Sequence, residues 1–211
     1  MKEPLGCLLV TGQDTNKYHD LAGNSARVAG FLGAEEDIRV VTTDDYAALE
    51  SPGIDAYTVV LLNTFCGSAS PKQIDDLCSF VEGGKGLVVL HAGILFCGDN
   101  PKYGSLVGGK ICGHAPYGDF DVTIEDRDQA VTQGMDGFRI RDELYDSECA
   151  GEVRVLATGM WRQKRCPVVW TKAQGRGRVC YLAFGHDAPA LANAGFRAIM
   201  IRAVRWVGGR L

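Results

Sequence analysis

Apolar positions along the chain fall into short β-branched runs separated by longer stretches with a helical repeat, the pattern of βαβ units feeding a parallel sheet. Leu5–Thr11, Ile38–Thr42, Tyr57–Asn63 and Gly86–His91 are apolar for most of their length, which predicts strands covered on both faces. Between them a helix is predicted from Pro71 to Val81, with Ile74, Leu77, Cys78 and Val81 on one stripe. Ser70 can cap it, Pro71 suits its first position, Gln73 completes a capping box and Gly83-Gly84 ends it. An earlier helix is predicted over 17–32, with Leu21, Val28, Phe31 and Leu32 on one face and Gly33 as the stop.

From Gly98 to Gly118 the chain is rich in Gly, Pro and polar residues, which predicts a long loop serving as a lid or pocket wall. Strand patterns resume at Asp119–Glu125, Val153–Thr158, Pro167–Thr171 and Arg178–Phe184, joined by turns as short as Gly175-Arg176-Gly177, so the later half should be more antiparallel. A last helix is predicted over 192–207, with Phe196, Ile199, Met200, Ala203 and Val207 packing back on the sheet.

Composition narrows the class. A chain of 211 residues, 46% hydrophobic and 23% charged, can bury a full core, and one domain over residues 1–211 is the expectation. The net charge of -4, without a basic run, gives no footprint for nucleic acid or an anionic membrane. The apolar run before Thr11 is far too short for a signal core or a membrane span, which points to the cytoplasm. Eight cysteines lie without a CxxC pair, and most are expected to be small buried hydrophobes in a reducing compartment.

Four histidines carry the candidate chemistry. His91 closes the apolar run Leu87-Val88-Val89-Leu90 and precedes Ala92-Gly93, small residues that suit a sharp strand-to-helix elbow. His186 ends another strand in Gly185-His186-Asp187, and ligands of open α/β sheets bind beyond the carboxyl ends of strands. His114 falls in the Gly-rich loop, and His19 early in the first helix, where a solvated face is the plainer account. Glu143, in Arg141-Asp142-Glu143-Leu144-Tyr145, could orient a histidine, act as a base or share a metal with it, although a solvated charged turn explains it as well. Cys66 and Cys97 also follow strands but have no base nearby in sequence. No GxGxxG, Walker or HExxH pattern supports a dinucleotide, nucleotide or metalloprotease site.

Taken in order, several stretches resemble the ThuA-like (trehalose utilisation) family, a relative of class I glutamine amidotransferase domains. They are Thr11-Gly12-Gln13 with Asn16 and His19-Asp20, Gly83 through Ala92, Gly108-Gly109, Gly113-His114, Asp142-Glu143-Leu144-Tyr145, Gly175 through Val179, Leu182 and Gly185-His186. The resemblance implies an amidotransferase-like (flavodoxin-like) three-layer α/β/α sandwich with a mixed sheet, and a link to disaccharide or oxidised-sugar metabolism. In the amidotransferases a cysteine occupies the elbow; His91 there removes the thiolate that attacks glutamine. The chain departs from the family pattern where Gln129-Ala130 replaces a His-Pro pair before Val131, and where Ala115 separates His114 from Pro116.

The resulting expectation is a sugar or keto-sugar isomerase or hydrolase working by proton transfer through His91, His114, Glu143 and His186. Gln13, Asn16, His19, Asp20, Tyr145 and Asp187 are the candidates for holding substrate. His91, His114 and His186 are the candidate ligands should a divalent metal such as zinc be the cofactor. Two alternatives stay open: a carbohydrate-binding or regulatory module without catalysis, and a hydrolase using Cys66 or Cys97. A homo-oligomer is compatible with the pattern and specified by nothing in it.

Overall fold

The computed structural model describes residues 3–12, 18–67 and 69–211. Its first half alternates strand and helix: β1 (Leu5–Thr11), α1 (Leu21–Gly33), β2 (Ile38–Thr43), β3 (Val59–Asn63), α2 (Pro71–Glu82) and β4 (Gly86–Leu90). A 3-10 turn, His91–Leu95, then leads to α3 (Pro101–Val107) and β5 (Gly109–His114). The second half holds β6 (Gly118–Ile124), β7 (Phe138–Asp142), β8 (Tyr145–Cys149), β9 (Arg154–Trp161), β10 (Lys164–Gln174), β11 (Gly177–Leu182), α4 (Ala188–Ala192) and α5 (Ala194–Val207).

Nine strands make one mixed sheet in the order β2-β1-β3-β4-β11-β10-β9-β6-β7. The first five run parallel, and every pairing from β11 outward to β7 is antiparallel. Every residue of β3 and β4 is buried, as the uninterrupted apolar runs demand of strands covered on both sides. α1 packs on β1 and β2, α5 on β4 and β11, and α2 and α3 pack together over β11. The N-terminus of α2 carries the expected capping box: Gln73 N–H donates to Ser70 Oγ (3.2 Å) and Ser70 N–H to Gln73 Oε1 (2.8 Å). Among the described residues no helix is long and apolar enough to cross a membrane.

Three expectations need correction. The stretch Gly98–Gly118 is not one long loop, because it folds into α3 and β5. The loop-like residues are the helix caps: Asn100 accepts from Lys102 N–H and Tyr103 N–H, Pro101 takes the first turn, and Gly108 ends α3 at a φ of 78°. The segment 138–149, where the sequence predicts no strand and a solvated charged turn is one account of Arg141–Tyr145, forms β7 and β8; β7 adds to the main sheet and β8 pairs with β5 in a separate two-stranded sheet. Of the eight cysteines, all free, only Cys7, Cys166 and Cys180 are buried, while Cys66 and Cys112 are exposed.

Candidate active site

β2 and β3 flank β1 on opposite sides, so chain direction across the sheet reverses at β1, and a crevice opens at the carboxyl ends there. His19 follows β1, Phe65 and Cys66 follow β3, His91 follows β4 and His186 follows β11. Glu143 and Tyr145 reach the same place from the corner between β7 and β8. Residues far apart in sequence are therefore delivered to one edge of the sheet.

The elbow at His91 is real. His91 adopts a φ of 47°, a left-handed conformation that costs a non-glycine residue about 1 kcal/mol and needs support. Tyr181 Oη donates to the His91 carbonyl (3.1 Å) and Tyr103 Oη to the Gly93 carbonyl (2.5 Å), which pins the turn from beneath. Gly93 is required by close approach, since a Cβ there would lie 2.8 Å from the Leu62 carbonyl oxygen. His91 Nδ1 lies 2.7 Å from the Ala183 carbonyl oxygen, which can only accept, so Nδ1 carries the proton. Nε2 thus presents its lone pair and accepts from Tyr145 Oη at 2.9 Å.

Glu143 sits among the imidazoles: Oε2 is 3.3 Å from His186 Nδ1 and 3.8 Å from His91 Nε2, and Oε1 is 3.9 Å from His114 Nδ1. The close approach of His186 holds the carboxyl down to about 2, and the same pairing raises His186. Burial pushes His91 down to about 3 and His19 down to about 4, so both imidazoles are neutral. Beneath Glu143, the wholly buried Asp142 accepts from Glu143 N–H and Gly185 N–H, both at 2.7 Å. Burial raises its carboxyl to about 7. Asp142 ties the corner that carries Glu143 to the loop that carries His186, a part that its place in a charged run did not reveal.

Four side chains, His19, His91, Glu143 and His186, each offer a ligand atom within 4.8 Å of the others. The set suits a divalent cation such as zinc: neutral imidazoles with one carboxylate are its ordinary donors, and the Ala183 carbonyl orients His91 as an outer partner should. Buried His186 Nδ1 has no aligned hydrogen-bond acceptor despite its approach to Glu143, a donor atom left for something else to satisfy. This revises the ligand set read from sequence. His114 stands outside the cluster, exposed at the end of β5 with Nδ1 2.9 Å from the Ala115 carbonyl oxygen. His19, expected on a solvated helix face, precedes α1 and is buried.

A cavity of about 630 Å³ opens over the cluster, bounded by Glu143, Tyr145, His186, His19 and His114 and by Tyr18, Phe65, Leu95 and Ile111. The last four were invisible as site residues in the sequence, where they look like ordinary apolar positions. Asp20 and Asp187 are committed to caps: Asp20 accepts from Gly23 N–H, and Asp187 from Ala190 N–H and Tyr117 Oη. Gln13 and Asn16 lie outside the described residues. Cys66 and Cys97 line a neighbouring cavity, and burial raises both thiols, the opposite of what a thiolate nucleophile needs.

The fold and this edge define a mixed α/β protein with a cavity at the carboxyl end of its parallel strands, lined by His19, His114, His186 and Glu143. The trehalose-utilisation (ThuA) family pattern matches residues 7–207, and the chain belongs to that family. No curated protein matches it. Among solved structures it is similar to a ThuA-like protein from Bacteroides uniformis, with 19% identity over 98% of this chain and 93% of that one and a TM-score of 0.84. A ThuA-like protein from Parabacteroides merdae is similar at 19% identity, 98% and 90% coverage and a TM-score of 0.83. A β-galactosidase from Bacillus circulans shares 14% identity over 98% of this chain but 31% of its own, with a TM-score of 0.69. At these identities the likeness is one of fold.

Proposed function

We propose that this chain is an enzyme of sugar or keto-sugar metabolism, an isomerase or hydrolase working by proton transfer, on a three-layer amidotransferase-like sandwich. The observation that carries the reading is the convergence of His19, His91, Glu143 and His186 within 4.8 Å of one another, with all but the buried His91 lining one cavity. Moving a proton next to a carbonyl needs a base that works near neutrality and donors aimed at the oxygen that gains charge. His186, raised by its glutamate, and His114, whose Nδ1 is tied to a carbonyl so that Nε2 is left to take a proton, are the bases. Tyr145 Oη, held on His91 Nε2, is a donor that can turn to the developing oxyanion. A divalent cation held by the four clustered side chains would supply Lewis acidity to the same oxygen and, with His186 then a ligand, would leave His114 as the base. Glutaminase activity is not proposed, because a histidine occupies the elbow. The eight free cysteines fit a reducing, cytosolic setting.

The decisive experiment pairs metal analysis of the purified protein with turnover of a panel of sugars and keto-sugars. His91→Ala should lower kcat by at least about 100-fold, the scale of losing one acid-base or oxyanion contact. A metal-free protein whose His91→Ala variant keeps full turnover sinks the reading. A second reading, a carbohydrate-binding module, draws on the fold's likeness to a portion of a β-galactosidase chain. Calorimetric sugar binding without any turnover would favour it.

A further inference from the structure

The cavity's two sides differ in kind. Its floor carries His19, Glu143, Tyr145 and His186, whereas Phe65, Leu95 and Ile111 form a half-exposed apolar wall. Two of the five exposed large hydrophobic side chains among the described residues flank the same opening: Tyr18, and Tyr117, whose ring centroid is 5.6 Å from that of His186. The other three, Val41, Met160 and Leu211, belong to segments that do not line it. Accessible apolar surface thus gathers at one place, over the largely buried polar groups of the floor and beside the exposed His114, which marks a site for a ligand with two unlike ends.

A bare sugar ring carries hydroxyls around its whole edge, and those desolvated against this wall would lose water without gaining a partner. An apolar group suits the wall instead. A second cavity of about 730 Å³, lined in part by Phe96 and Pro101, adjoins it at Leu95. We propose that the substrate is a glycoside with an apolar, best aromatic, substituent, whose sugar ring meets the histidine and glutamate floor while the substituent packs on Phe65, Leu95 and Ile111. The proposal rests on the reading of the cavity as a sugar site.

Calorimetry on the full chain with methyl glucoside, phenyl glucoside (both anomers of each) and phenol tests it without any need for turnover. Phenyl glucoside should bind at least about tenfold more tightly than methyl glucoside, as burying a ring predicts, and more tightly than phenol. Ile111→Asn and Leu95→Asn should each bring the phenyl-to-methyl ratio towards one; should neither fold, the wild-type ratio decides alone. Equal affinity for the two glucosides, no binding of either, or a ratio unchanged in a folded variant overturns the proposal. The failures are distinguishable. Phenol binding as tightly as phenyl glucoside removes the sugar reading and this proposal with it, whereas tight methyl glucoside binding without a phenyl advantage leaves the sugar reading standing.

Discussion

Asp142 shows how a single side chain can hold a site together without facing it. Both of its oxygens accept buried backbone N–H groups from segments over 40 residues apart, at Glu143 and Gly185. Asp142→Asn keeps the shape but offers one accepting oxygen, which strands a buried donor at a cost of about 1–3 kcal/mol. Urea denaturation should show that loss; a variant within about 0.5 kcal/mol of wild type, the scatter of an ordinary surface change, would refute the assignment. His91 was readable as the centre of the site because its elbow is local: an apolar run, a polar end and two small residues. Asp142 was not, because nothing in Arg141-Asp142-Glu143 distinguishes a solvated charge from one whose strand turns it into the core.

Helix α2 was legible almost to the residue, since its start is written in side chains that bond to their own backbone. Ser70→Ala removes the cap and should destabilise the protein by about 1 kcal/mol, seen as a lower Tm, while Ser70→Thr should retain most of it. An unchanged Tm for Ser70→Ala would show that packing of Ile74, Leu77 and Val81 carries the helix alone. The same cap logic explains the misreading of α3. Seven residues with a glycine inside, between Asn100-Pro101 and Gly108-Gly109, present more punctuation than helix. β7 and β8 were missed for a related reason. Their alternation is visible in Phe138-Arg139-Ile140-Arg141, but its charged half outweighs the pattern until β6 and β5 supply partners.

Across the whole molecule, the last helix is tied to the connection between α1 and β2 by Arg205 of α5, which donates to Asp37 (2.6 and 3.0 Å) and Glu35 (2.7 Å). The Arg205 guanidinium lowers the Asp37 carboxyl. A depressed carboxylate contributes stability above its unfolded value near 4, and that contribution is lost as pH falls through the lower folded value. Arg205→Met should therefore cost up to about 1 kcal/mol at pH 7, the scale of a partly exposed pair, with the gap from wild type closing below about pH 4. A gap independent of pH would assign Arg205 a packing role only. At this scale the sequence by itself determined the βαβ half, the caps of α2, the strand ends and the family, because those signals are local periodicities and backbone bonds within a few residues. Only the tertiary structure decided that His19 joins His91, Glu143 and His186 while His114 stands aside, and that Phe65, Leu95 and Ile111 form a wall. Which side chains share a cavity depends on strand order and register, and these are set by pairing between segments that the chain keeps far apart.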